Sequence, residues 1–121
     1  RVDVSVASRT FRDLGVPWID WGSRGSWRGE IVVNATSVGM NSDESPFPAE
    51  AWKRGMRAMD VVYTPRDTRF LREARSAGVE TTEGMEMFLR QAHYQFLHFT
   101  GQEIPPGVIE EFRSKPAIPR L

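Results

Sequence analysis

The 121 residues carry sixteen Lys and Arg against sixteen Asp and Glu, a formal net charge of zero, and no cysteine. Without a basic excess the chain lacks the electrostatic footprint of a nucleic-acid or membrane-surface binder, and without cysteine it forms no disulfide, thiolate zinc site or cysteine nucleophile. The length suits one core rather than two domains, no apolar run approaches the ~20 residues of a membrane span, and no leader pattern is visible, so a cytoplasmic domain is expected.

Residues 2–8 alternate as a strand from the outset, and because the sequence opens on Arg1 inside that pattern, a further upstream segment is expected. Residues 17–21 read as a second short strand, and 30–36 as a third, buried on both faces. Pro48 starts a short helix that Gly55 ends, with Trp52 on its inner side. Residues 57–63 form the next strand. Thr64-Pro65-Arg66-Asp67 then has the marks of a helix start, a hydroxyl cap with proline at the first position and a carboxylate three residues after the cap. Phe70, Leu71, Ala74 and Ala77 share one face of that helix, and Gly78 stops it. Residues 79–82 read as a strand. Gly84 to Thr100 is the longest helix, with Met85, Phe88, Leu89, Ala92, Phe96 and Phe99 spaced as a core stripe. A last helix runs from Pro105-Pro106 through Phe112, and 115–121 is a proline-broken tail. This alternation predicts an α/β fold, Rossmann-like and doubly wound, with a mostly parallel sheet.

Chemistry concentrates where strands end. Ile31 to Met40 is an apolar strand running into a hydroxyl-rich turn, and the carboxyl ends of parallel strands are where open α/β sheets bind ligands. Asn34, Thr36 and Ser37 place an amide and two hydroxyls there, and Gly39 admits a close backbone approach. Ordinary turn chemistry is the competing account. Asp60 to Pro65 repeats the pattern, an apolar strand ending in polar groups. Ser8-Arg9-Thr10 closes the first strand, where a dinucleotide fold meets the adenosine ribose and an arginine accepts the extra phosphate of NADP. An exposed arginine at a turn is the alternative. Met87, Gln91, Tyr94 and His98 form one helical row beside the core stripe, so Gln91 is placed to point into a cleft.

Three segments, Asn34 to Met40, Asp60 to Pro65 and Gly84 to Ala92, resemble in order and separation the carboxyl-terminal half of the shikimate dehydrogenase family, with motifs Asn-x-Thr-x-x-Gly-Met, Asp-x-x-Tyr-x-Pro and Gly-x-x-Met-hydrophobic-x-x-Gln-Ala. Ser8-Arg9-Thr10 is similar to the family's Asn-Arg-Thr, with serine for asparagine. The resemblance spans roughly residues 1–112 and departs most over 11–29, where only Phe11 to Leu14 stands in place of the family's helix. It implies an NADP-binding portion of an enzyme interconverting 3-dehydroshikimate and shikimate. Ser8, Arg9, Thr10, Asn34, Thr36, Ser37, Gly84 and Met87 would serve the cofactor, with Gly84 and Met87 flanking the nicotinamide. Tyr63 and Gln91 would face the small-molecule substrate.

The family's glycine-rich phosphate loop and its catalytic lysine-aspartate pair have no counterpart here, so no catalytic residue is expected in this chain and both belong upstream, the pair in an amino-terminal substrate domain. The sheet is correspondingly expected to be incomplete at its amino-terminal end, missing the strand between the second and fourth, and the isolated chain to be marginally stable or to associate through that slot. The resemblance leaves open a bifunctional dehydratase-dehydrogenase, located in the plastid if from a plant, and a homodimer. Two other readings are a quinate-preferring dehydrogenase and a nonenzymatic nucleotide- or metabolite-binding module.

Remaining features point to structure. His93 and His98 stand about 140° apart on a helix and form no metal pair. Arg66, Arg69, Arg72 and Arg75, interleaved with Asp67 and Glu73, read as a solvated face. Trp18, Trp21 and Trp27 among Gly22, Gly25 and Gly29 suggest only a compact loop.

Overall fold

The structure is a computed structural model describing residues 2–115. Five parallel strands form two sheets. β1 (Val6–Ser8) pairs with β2 (Trp18–Asp20), and β3 (Ile31–Asn34) pairs with β4 (Arg57–Asp60), which pairs with β5 (Glu80–Thr82). No ladder joins β1 to β3. The orders β1-β2 and β3-β4-β5, all parallel, fit a doubly wound α/β arrangement.

The expectation that β3 is buried on both faces is corrected. Ile31 and Val33 are 52% and 48% exposed, and among the described residues the strand pairs on one edge only, with β4. The opposite face holds Val32 against the core. β1 is likewise shorter than the alternation suggested, with Val2 and Val4 exposed ahead of its first ladder residue.

The core lies on the other side of the larger sheet, where Phe70, Leu71 and Ala74 of α1 (Arg69–Ser76) meet Ala58 of β4, Val79, Phe47 and Trp52. Trp52 is buried as expected, although the segment after Pro48 is only a 3-10 turn, Ala49–Ala51. α1 starts four residues later than the Thr64-Pro65 pattern suggested. Thr68 is its cap, in extended backbone with its hydroxyl accepting from Leu71 N, while the Thr64–Pro65 peptide is cis and lies in the bend before the helix. Gly78 ends the helix with φ of 75°, a conformation suited to glycine.

α2 (Gly84–Thr100) has the predicted bounds, but only its first half enters the core. Met85 and Leu89 are buried, whereas Phe96 is 38% and Phe99 81% exposed. α3 (Pro106–Ser114) begins with proline at its first position and folds back on α2. Of the predicted tail, 116–121 lies outside the described residues.

The Trp-Gly stretch has a structural role. Trp21–Ser26 is a 3-10 helix capped by Asp20, whose carboxylate accepts from Gly22 N at 2.8 Å. The Arg24 guanidinium sits 4.2 Å from the centroid of the Trp21 ring and donates to the Pro46 carbonyl at 2.6 Å. Gly25 packs so close to Pro48 that a Cβ would lie 3.0 Å from its Cγ, and Trp27 lies against the core. The stretch ties the small sheet to the larger one.

Candidate active site at the carboxyl ends of the strands

Because all the strands are parallel, the residues following β1, β3 and β4 leave their ladders at carboxyl ends. The β3 and β4 ends are joined by a buried polar cluster, Asn34, Asp60 and Thr68, at 2%, 0% and 1% exposure. Asn34 Nδ2 donates to Asp60 Oδ1 at 2.9 Å and to the Val38 carbonyl at 3.0 Å, and its Oδ1 accepts from Thr36 N at 3.0 Å and Thr36 Oγ1 at 2.7 Å. All its hydrogen-bonding capacity is thereby used within the protein. Asn34 underlies the turn, and Thr36 and Ser37 form its exposed surface.

Asp60 accepts three hydrogen bonds, from Asn34, from Val62 N at 2.9 Å and from the Thr68 hydroxyl at 2.6 Å. Every donor is neutral. Burial pushes its carboxyl above the ordinary value, while the hydrogen bonds from Thr68, Val62 and Asn34 pull the other way. Thr68 also caps α1, so a single carboxylate ties β4, the 61–68 bend and the start of α1 to the Asn34 turn. Gly39 completes the turn with φ of 92°, its missing Cβ 3.4 Å from Thr68 Cβ.

α2 starts against the same end of β4. A Cβ on Gly84 would fall 2.4 Å from the Val62 carbonyl oxygen and 2.9 Å from that of Asp60, so only glycine allows the helix to begin there. Tyr63, 38% exposed, stacks on Phe88 of the first turns of α2, with ring centroids 4.9 Å apart and planes inclined by 27°. Phe88 was expected in the core stripe; it is half-buried and supports Tyr63. Met87 is half-buried and Gln91, three residues beyond Phe88, is exposed. The Thr64 hydroxyl beside Tyr63 is buried with no hydrogen-bond partner among the described residues.

At the end of β1, Ser8 Oγ accepts from Trp18 Nε1 at 2.9 Å and donates to the Thr10 carbonyl at 2.7 Å, bracing the Ser8–Thr10 turn. Phe11 meets the Trp18 ring edge-on, with centroids 5.5 Å apart. Arg9 and Thr10 are exposed, and the Arg9 guanidinium has no partner among the described residues. A guanidinium without a partner among the described residues, on a braced turn, suits a phosphate.

The arginine stripe is divided in role. Arg66 lies outside α1, pairs with Glu83 at 2.9 Å and donates to the carbonyls of Arg113 and Lys115, which caps the end of α3. Arg69 pairs with Glu73, Arg72 with Asp43 and Arg75 with Asp67 on the solvated face expected. A second link to α3 joins Glu86 and Arg113 at 2.9 Å, and the arginine's hydrogen bonds hold the Glu86 carboxyl below its ordinary value. His93 Nε2 lies 2.9 Å from Glu103. No helix among the described residues is long and apolar enough to cross a membrane.

Sequence reasoning missed the part played by Asp60, Thr68 and Trp18. The signal available was a carboxylate closing an apolar strand, a place where a buried charge needs donors from elsewhere in the chain.

A scan against protein-family models found no match. Similarity to individual proteins is extensive. The chain is 48% identical over 92 residues to the shikimate dehydrogenase (NADP(+)) of Pelobacter propionicus, a match covering 72% of this chain and 33% of that protein. It is 45% identical over 89 residues to the chloroplastic bifunctional 3-dehydroquinate dehydratase/shikimate dehydrogenase of Arabidopsis thaliana, covering 72% of this chain and 15% of the relative. Among solved structures, the shikimate 5-dehydrogenase of Thermus thermophilus in complex with NADP(H) and shikimate superposes with a TM-score of 0.69 at 34% identity, over 81% of this chain and 37% of that one. A chorismate mutase/shikimate 5-dehydrogenase fusion protein of Clostridium acetobutylicum gives a TM-score of 0.80 at 26% identity, over 92% of this chain and 43% of that one. The chain thus spans a third or less of the length of these two curated relatives. With the three motifs, the parallel doubly wound order and these matches together, the chain belongs to the shikimate dehydrogenase family.

Proposed function

We propose that this chain is the carboxyl-terminal, NADP-binding portion of an enzyme interconverting 3-dehydroshikimate and shikimate, acting with an amino-terminal substrate domain. The observation that carries the reading is that β3, β4 and the start of α2, whose motifs are far apart in sequence, meet at one end of one parallel sheet through the Asn34–Asp60–Thr68 cluster and the Gly84 contact. The residues present fit the cofactor. Arg9 offers a guanidinium with no partner among the described residues to the additional phosphate that separates NADP from NAD, and Ser8 and Thr10 hold its turn. Thr36 and Ser37 offer hydroxyls from an exposed turn that Asn34 organises, and Gly84 and Met87 bring the α2 start to the nicotinamide.

Bound NADP supplies the hydride acceptor or donor. This chain's own residues bind, orient and exclude water. Tyr63, held flat by Phe88, and Gln91 farther along the helix offer hydrogen bonds to the carboxylate and hydroxyls of the substrate. The proton-transfer pair belongs to the amino-terminal substrate domain. A plant protein of this kind would work in the plastid and a prokaryotic one in the cytoplasm.

The test is steady-state oxidation of shikimate and of quinate by the complete protein with NADP. Shikimate should be the better substrate, and Gln91→Ala should raise its KM about tenfold while changing NADP affinity little. Faster turnover of quinate would redirect the assignment to a quinate dehydrogenase. No turnover of either would sink it in favour of a binding module.

A further inference from the structure

The hydrogen bonds of the Asn34 turn determine more than its shape. The Asn34 amide has one permitted orientation, because its NH2 end faces two groups that only accept, the Val38 carbonyl and the Asp60 carboxylate, and its oxygen faces the Thr36 N–H, which only donates. Turning the amide over would set donor against donor and acceptor against acceptor in a buried place. Asn34 Oδ1, so held, can only accept, so the Thr36 hydroxyl 2.7 Å away donates its hydrogen to it. The same hydroxyl accepts from Val38 N at 3.1 Å. A hydroxyl has one proton and two lone pairs, so Thr36 is left with a single lone pair on its exposed side. Neighbouring Ser37 is not so constrained, since its hydroxyl has no partner among the described residues.

We propose that Thr36 recognises its ligand only as a hydrogen-bond acceptor, so that the group it meets is an N–H or O–H donor of the dinucleotide rather than a phosphate oxygen, and that Asn34 is the positioning residue that imposes this polarity. The inference rests on the NADP reading above and deepens it. A phosphate oxygen needs a donor, and Thr36 has no proton to give. The donors NADP carries are the nicotinamide carboxamide, the adenine amine and the ribose hydroxyls.

The complete protein tests this with three probes, NADP, its 3-acetylpyridine analogue, which lacks the carboxamide NH2, and inorganic pyrophosphate as a competitor. Thr36→Val, which keeps the shape and removes the lone pair, should weaken NADP about tenfold, and Thr36→Ser should restore binding to within about twofold of the natural protein. Pyrophosphate should bind all three proteins alike. Loss on NADP alone identifies the carboxamide as the donor; equal loss on NADP and the analogue identifies a ribose hydroxyl or the adenine amine. Asn34→Ala, which leaves the Thr36 lone pair but releases its orientation, should weaken NADP by no more than Thr36→Val does, and the double variant should be no worse than the weaker of the two, because Asn34 acts through Thr36. Should Asn34→Ala fail to fold, the Val and Ser pair decides the matter alone. Unchanged NADP binding in Thr36→Val, a matching loss on pyrophosphate, or losses that multiply in the double variant would each overturn the proposal while leaving the NADP reading in place. Failure of the natural protein to bind NADP would overturn that reading and this inference with it.

Discussion

The Thr68 hydroxyl donates to Asp60 Oδ2 at 2.6 Å and accepts from Leu71 N, so the cap of α1 is fastened to the end of β4. Both residues are almost wholly buried. Asp60→Ala would strand three buried donors, the Thr68 hydroxyl, Val62 N and the Asn34 amide, at a cost of about 3 kcal/mol or more. Thr68→Val would lose the cap and one of those bonds, about 1–2 kcal/mol. Urea unfolding of the complete protein measures both, and an Asp60→Ala midpoint equal to that of the natural protein would show that the cluster contributes nothing.

Gly84 is a second point where the chain permits one residue. Its Cβ would meet backbone rather than a movable side chain, at 2.4 Å from the Val62 oxygen. Gly84→Ala should therefore cost about 2 kcal/mol or more despite alanine's higher helix propensity. It should also displace the start of α2, with a fall in substrate turnover larger than the fall in stability explains. A stabilised Gly84→Ala protein would contradict the contact.

Thr64 gives the opposite expectation. Its hydroxyl is buried without a partner, so Thr64→Val removes an unmet polar group and keeps the shape. Thermal melts should show a variant as stable as the natural protein or slightly more so. A loss above about 1 kcal/mol would mean that the hydroxyl has a partner when the complete protein is assembled.

Acid should loosen α3 before the core. The Arg113 hydrogen bonds hold the Glu86 carboxyl below its ordinary value of 4.5, so its folded-state pKa is depressed. The stabilisation is present above that ordinary value and is lost as pH falls through the lowered one. The pair is half exposed, which keeps its contribution small. Hydrogen exchange in α3 amides, corrected for intrinsic rates, should accelerate in acid relative to α1 amides, and Glu86→Gln should remove the difference. Protection of α3 that does not change with pH would show that the Arg66 cap alone holds it.

The sequence made the order of elements legible, and α2 in full, because those depend on local periodicity and on glycine and proline as punctuation. It misplaced the start of α1 because Thr64 and Thr68 both offer a hydroxyl cap. The choice between them is made by Asp60, which lies four residues before the first of these and acts through the folded cluster. The exposed face of β3 and the exposed outer half of α2 were read as core, since periodicity says which residues are apolar and not what is present to cover them. Of the site, Arg9, Thr36, Ser37, Tyr63 and Gln91 were legible as exposed polar groups at strand ends or on a helix row. The support beneath them, Trp18 under Ser8 and Phe88 under Tyr63, became visible only with the fold.

In the proposed site the carboxyl ends of the strands bind NADP, and Arg9 after β1 chooses it over NAD. Calorimetric titration of the complete protein and its Arg9→Ala variant with each dinucleotide tests it most directly. The substitution should weaken NADP at least about tenfold and leave NAD within about twofold, since a lost charge-assisted phosphate contact is worth ~1.5–3 kcal/mol. Equal losses for the two dinucleotides, or none for NADP, would contradict it.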